Sequence, residues 1–158
     1  MYTMYLAGQI SKDESTYMWR NNVVERYKED SNVLVINPCN NTFNKKVLEM
    51  RKKNNTNGYR NIEGVEVLPG KDRFYIKKSN VILFNLNVFD LQKPLLGTFF
   101  EAAWTYDDSG KIVIGIADTS INKQTQQICN HPFVKATINT FVENEEEACD
   151  LFDFFRDI

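Results

Sequence analysis

Asn80-Val81-Ile82-Leu83-Phe84-Asn85-Leu86 is the stretch that decides the fold. Its apolar side chains follow one another without alternation, so a strand here must be covered on both faces, as strands of a parallel sheet are. Upstream, Gly70 to Lys78 suits a short helix. Further back, Tyr2 to Ala7 reads as a short buried strand ended by Gly8. Ser15 begins a helix that runs to about Lys28, with Trp19, Val23 and Tyr27 at fourfold spacing on one core-facing side. Val33 to Ile36 is a second strand, stopped by Asn37-Pro38.

Downstream, Asn87 to Leu96 is a loop, and Gly97-Thr98 opens a helix that carries Glu101, Ala102, Ala103 and Trp104. Lys111 to Ile116 is another buried strand, Ala136 to Val142 a shorter last strand, and Glu143 to Phe155 an amphipathic helix whose Glu145-Glu146-Glu147 run faces solvent. Between Asn40 and Pro69, Asn, Lys and Arg crowd the chain and periodicity weakens. This reads as an excursion from the sheet, helical around Phe43 to Arg51 and otherwise a long loop. Strands that alternate with helices predict an α/β fold: a single doubly wound parallel-sheet sandwich, flavodoxin- or Rossmann-like, over residues 1–158.

Composition narrows the function. The chain has 158 residues, enough for one domain with one core, and a formal net charge of -2. That balance excludes a broad nucleic-acid footprint and favours a small-molecule partner. No GxGxxG follows Gly8 and no P-loop lysine is present, so the usual dinucleotide and phosphate-cradle sites are excluded, and no cofactor is expected. Cys39, Cys129 and Cys149 show no metal-ligand spacing and read as reduced structural cysteines of a cytoplasmic protein. His131 is the one histidine, which removes His-based triads and most His-metal sites; followed by Pro132, it shapes a turn. No signal peptide and no membrane-spanning run is read.

In open α/β sheets ligands bind at the carboxyl ends of the strands. That edge gathers Tyr5 to Ile10, Asn37 to Asn41, Asn85 to Leu96 and the start of the Gly97 helix. Glu101 lies in the first turns of that helix, where the dipole is expected to keep a carboxylate ionised at neutral pH. Such a group either complements the dipole or serves as a nucleophile toward an electrophilic sugar carbon. Arg20 is either a ligand for phosphate or carboxylate, or a solvated helix arginine. Trp19 reads as core. The amides of Asn85 and Asn87 suit a base or a sugar, with a turn role for Asn87 as the alternative.

Tyr5-Leu6-Ala7-Gly8, Trp19-Arg20, Asn37-Pro38, Asp72 with Ile76 and Ser79-Asn80, Asn85-Leu86 and Gly97-Thr98-Phe99-Phe100-Glu101 occur in an order that resembles the nucleoside 2-deoxyribosyltransferase family. Gly110 to Ile114 and His131-Pro132 resemble its phage and bacterial branch. The resemblance covers most of the chain and is weakest between Asn40 and Pro69. It implies that Glu101 attacks the sugar's anomeric carbon and holds it covalently, as in retaining glycosidases. It implies further that Tyr5 orients Glu101 by a hydrogen bond, and that Asp72 meets the departing base as its proton donor. Gly8, Arg20, Asn85 and Asn87, with Leu95, Gly97 and Thr98, are the expected substrate-binding residues, and no metal is implied. At the position of Leu95, transferases of the family often carry an aspartate near the sugar's 5′ end, and nucleotide-hydrolysing relatives a serine. The resemblance implies a nucleoside or nucleotide and a free nucleobase as partners, and a homo-oligomer, dimer or larger, in which Asn122 and Asn130 are candidates for contacts to the neighbouring subunit. Three functions stay open: a 2-deoxyribosyl transferase, a (deoxy)nucleoside 5′-monophosphate N-glycosidase that passes the sugar to water, and a non-catalytic nucleotide-binding protein.

Overall fold

The computed structural model describes residues 1–40, 67–106, 108 and 110–157. Five strands form one parallel sheet: β1 (Tyr2–Gly8), β2 (Val33–Ile36), β3 (Val81–Asn85), β4 (Ile112–Ile116) and β5 (Phe141–Val142), in the order β2-β1-β3-β4-β5. This is the flavodoxin-like order, and the sequence reading of a doubly wound α/β sandwich holds. Order reverses between β1 and β3, so their carboxyl ends flank the crevice where such folds take ligands. Gly8 sits there, in register with Asn85.

Side chains alternate across each strand, so the sheet makes two cores. Met4, Leu6, Val81, Leu83, Ile114 and Ile116 face α1 (Ser15–Tyr27) and the C-terminal helix α6 (Glu145–Arg156), packing on Trp19, Val23, Tyr27, Ala148, Cys149 and Phe152. Tyr5, Ala7, Ile82 and Phe84 face the other way, toward α2 (Leu68–Lys78), α3 (Leu96–Tyr106), α4 (Lys123–Asn130) and α5 (Pro132–Thr137). There they meet Ile76, Ala102, Cys129 and Val134. The strand Val81–Asn85 is buried at every residue, as its unbroken apolar run requires. All three cysteines are buried and unpaired. Among the described residues no helix is long and apolar enough to cross a membrane.

Two readings of the sequence need correction. Ala136 and Thr137 are not strand but the end of α5, and the last strand shrinks to Phe141–Val142. Pro132 stands in the first turn of α5, where its missing N–H costs nothing, and the His131 ring accepts from Phe133 N at 3.3 Å as a cap. His131 does shape the junction, as expected. The helix α4 has no counterpart in the sequence reading, because it is short and mostly polar, with Ile128 and Cys129 its only apolar residues. Its one signal is Asn122, whose side chain accepts from Thr125 N at 2.8 Å and donates to Val88 O at 2.8 Å. Asn122 and Asn130, which donates to Gln126 O at 3.0 Å, are therefore used within the chain. The excursion falls mostly on residues 41–66, outside the described residues, as does the helical stretch read around Phe43 to Arg51.

The sheet tolerates little addition at its β4–β5 border. A Cβ at Gly115 would stand 2.8 Å from both Ile138 Cγ2 and Phe141 Cδ1. Gly115→Ala is expected to lower stability by about 1–3 kcal/mol through overpacking. A shift of the urea midpoint at unchanged slope checks this; an unaltered midpoint means that β5 yields freely.

Candidate active site

Three elements converge on one face of the sheet. Tyr5, wholly buried in the middle of β1, donates its hydroxyl to Glu101 Oε1 at 2.7 Å across from α3. Asp72, on α2, is close enough for its charge to act on both. The three residues that the resemblance makes catalytic are thus together, although 96 positions separate Tyr5 from Glu101.

The electrostatics differ from the sequence expectation. Glu101 is the sixth residue of α3, beyond the first turn in which the helix dipole acts. Its carboxyl is enclosed, and desolvation pushes its pKa up from 4.5 to about 8. The hydrogen bond from Tyr5 opposes this, the charge of Asp72 adds to it, and the distant cation of Arg20 opposes it. Glu101 is therefore mostly protonated at neutral pH in the free protein; burial outweighs the dipole. Desolvation also raises Asp72, against the pull of Lys71 and of the Tyr5 hydroxyl. Burial and the two carboxylates hold the Tyr5 proton far more tightly than usual. The arrangement offers a carboxyl, a fixed hydroxyl that aligns it, and a second carboxyl whose hold on a proton burial strengthens. Cys39, read from sequence as merely structural, lies buried after β2, where the charges of Arg20, Glu101 and Asp72 all reach its thiol.

The expected substrate-binding residues divide. Arg20 is neither a free ligand nor solvated: it is wholly buried. Its guanidinium donates to Leu6 O (3.4 Å), Gly8 O (2.7 Å), Gln9 O (3.2 Å) and Thr16 O, and lies 4.6 Å from the Trp19 ring centroid. The reason is local. The pairing with β2 ends at Tyr5 opposite Ile36, and the carbonyls of Leu6 and Gly8 run past that end. Trp19 is core, as read. Gly8 serves packing: a Cβ there would come within 3.0 Å of Asn85 O and 3.1 Å of the Trp19 ring. Asn85 accepts from Asn87 N (3.0 Å), and Asn87 accepts from Asp118 N (2.8 Å), so both side-chain oxygens shape the loop after β3. Thr98 is buried and Gly97 exposed, with open space where a Cβ would point. Leu95 is buried and lines a small hollow of about 330 Å³ with Val88, Leu91, Phe99 and Ile128. Asp90, in the same loop, accepts from Gln92 N in a local turn.

A residue the sequence reading missed is Gln9. It is 5% exposed, and both ends of its amide grip the loop after β3. No sequence signal marks it beyond its place directly after Gly8. The larger cavity, about 1040 Å³, lies between α3, α4 and α5, lined by Phe99, Ala102, Tyr106, Ile128 and Phe133; Tyr5, Asp72 and Glu101 are not in its wall. Among the described residues no three His, Cys, Asp or Glu side chains are grouped to hold a metal ion.

No protein-family model matches the chain, and no curated protein matches it by sequence. Among solved structures, a 2-desoxiribosyltransferase from Leishmania mexicana shares the fold, with a TM-score of 0.51 and 19% sequence identity over 77% of this chain and 71% of that one.

The raised pKa of Glu101 has a consequence for stability. A carboxyl that ionises near 8 when folded and near 4.5 when unfolded holds its proton more tightly in the native state. The fold therefore loses stability as pH climbs from about 4.5 through 8. Glu101→Gln removes that ionisation. The variant should melt like the wild type at pH 4.5 and be more stable by roughly 2–4 kcal/mol at pH 9. Melting curves that stay parallel across this range would show that Glu101 ionises freely in the native state.

Proposed function

We propose that this chain cleaves the N-glycosidic bond of a 2-deoxyribonucleoside or its 5′-monophosphate and passes the sugar to a second nucleobase. The observation that carries the reading is the 2.7 Å hydrogen bond from Tyr5, on β1, to Glu101, on α3, with Asp72 beside them. The likeness in fold to a 2-desoxiribosyltransferase supports it.

In the first half-reaction the Glu101 carboxylate attacks C1′ as the C1′–N bond breaks, through an oxocarbenium-like transition state. Asp72 gives its proton to the departing base, which is a poor leaving group as an anion. Tyr5 keeps its own proton and fixes the attacking oxygen by donation. In the second half-reaction a ring nitrogen of the incoming base attacks C1′, Glu101 is released as carboxylate, and the proton shed by that nitrogen returns to Asp72. Water in place of the second base gives hydrolysis. The second reading is a 5′-monophosphate N-glycosidase: leucine at position 95 offers no carboxylate to accept from a 5′-hydroxyl or to repel a 5′-phosphate, so nucleoside and monophosphate should be weakly discriminated. Arg20 is wholly buried and makes four hydrogen bonds to main-chain carbonyls, so it is assigned no phosphate. A homo-oligomer in the reducing cytoplasm completes the proposal, the latter in keeping with three buried free thiols.

The productive state carries one proton on the pair, on Asp72 and not on Glu101. Its titrations belong to the pair, so kcat/KM should be bell-shaped, with the alkaline limb near pH 8 where the last proton leaves. Glu101→Gln should abolish turnover, and Tyr5→Phe should cost roughly ten- to a hundredfold, the value of a hydrogen bond to a charged group. Asp72→Asn removes a charge that raises Glu101. On a substrate whose leaving group needs no proton, this variant should lose the alkaline limb and rise to a plateau. The panel is the common deoxynucleosides and their 5′-monophosphates, each with and without a free acceptor base. Substantial turnover in Glu101→Gln sinks the nucleophile; retention of the alkaline limb in Asp72→Asn sinks the acid.

A further inference from the structure

The loop from Asn87 to Leu95 joins the carboxyl end of β3 to the helix that carries Glu101, and so borders the crevice between β1 and β3. Its first part is tied to the α4 cap: Val88 N donates to Thr125 Oγ1 at 3.0 Å, and Val88 O accepts from Asn122. Its last part is tied to α3, where Leu95 O accepts from Phe99 N at 3.0 Å. The middle is held by Gln9, from the other side of the crevice. Gln9 Oε1 accepts from Phe89 N (3.0 Å) and Asp90 N (2.8 Å), while Nε2 donates to Asp90 O (2.9 Å) and Lys93 O (2.7 Å).

One side-chain amide thus makes four hydrogen bonds to loop backbone, and the main-chain carbonyl of Gln9 accepts from Arg20. An amide has two donors and two acceptor lone pairs, so its capacity is filled. A buried group of this kind specifies one arrangement, because any shift of the loop leaves several polar atoms unpaired at once. The contact spans the crevice from β1 to the β3 loop, where ligands sit in sheets of this order. Glu101 itself is aligned independently, by Tyr5.

We propose that Gln9 is a positioning residue for substrate: it sets the loop Phe89–Lys93 against β1, and with it the width of the crevice that admits the nucleoside, while taking no part in the chemistry. The proposal rests on the function given above. It separates binding from catalysis, since the loop shapes the site and Tyr5 aligns the nucleophile.

The test uses Gln9→Met, which keeps the volume and deletes all four bonds, and Gln9→Glu, which keeps the acceptor and deletes both donors. In Gln9→Met, the amides of Phe89 and Asp90 should exchange with solvent at least about tenfold faster, while those of Leu83 and Phe84 in the core strand stay as slow as in the wild type. With the panel substrate of highest kcat/KM, KM should rise about tenfold in both variants, with kcat within about twofold of the wild type. Unchanged exchange at Phe89 and Asp90 overturns the proposal. So does an unchanged KM with the amides released, or a fall in kcat that tracks loss of folded protein. If the wild type turns over no member of the panel, the Glu101 reading fails, and the exchange rates still decide whether Gln9 holds the loop.

Discussion

The buried guanidinium of Arg20 fixes the end of β1, and the candidate site is built from that end. An arginine cannot shed its charge, so burial is tolerable only if its donors find acceptors. Here the acceptors are main-chain carbonyls that the short strand β2 leaves behind when it stops opposite Tyr5. The same interaction satisfies the charge, completes the strand end and anchors Gln9. Gln9 in turn anchors the loop leading to α3. Order therefore passes from α1 through β1 to the helix of Glu101, by hydrogen bonds to backbone rather than by side-chain packing alone.

Enclosure of Glu101 sets a conflict that the site has to resolve. The proposed attack needs Glu101 ionised, yet its surroundings favour the protonated form. Tyr5 partly offsets this with a hydrogen bond that is stronger when the acceptor is charged. The nearby Asp72 works against ionisation of Glu101, so the pair prefers to share one proton rather than carry two charges. In the proposed reaction the working form has that proton on Asp72 and leaves Glu101 ionised, and a base that accepts a hydrogen bond from Asp72 would favour it.

Strand alternation explains how these groups meet. Tyr5 and Ala7 point to the face of α2 and α3, while Met4 and Leu6 point to α1 and α6. A shift of β1 by one residue would send Tyr5 into the opposite core and leave Glu101 without its donor. The parallel register with β3 therefore matters as much to the Tyr5–Glu101 hydrogen bond as to the core.

Much of this was legible in the chain. The unbroken run Val81–Phe84 called for a sheet covered on both faces, and the fourfold spacing of Trp19, Val23 and Tyr27 marked the covering side of α1. The order of Tyr5, Asp72 and Gly97 to Glu101 along the chain pointed to three groups that the fold does bring together. Periodicity and motif order are local or sequential properties, and a sequence carries both. The short β5, the α5 that replaced a predicted strand at Ala136, and the polar helix α4 were not legible, because caps and proline placement outweighed weak patterns there. The protonation of Glu101, the burial of Arg20 and the grip of Gln9 were decided by tertiary structure alone. Desolvation and backbone hydrogen bonds depend on what stands beside a residue in space, and for these three the decisive neighbours come from elsewhere in the chain: Tyr5 and Asp72 around Glu101, the end of β1 around Arg20, the loop after β3 around Gln9.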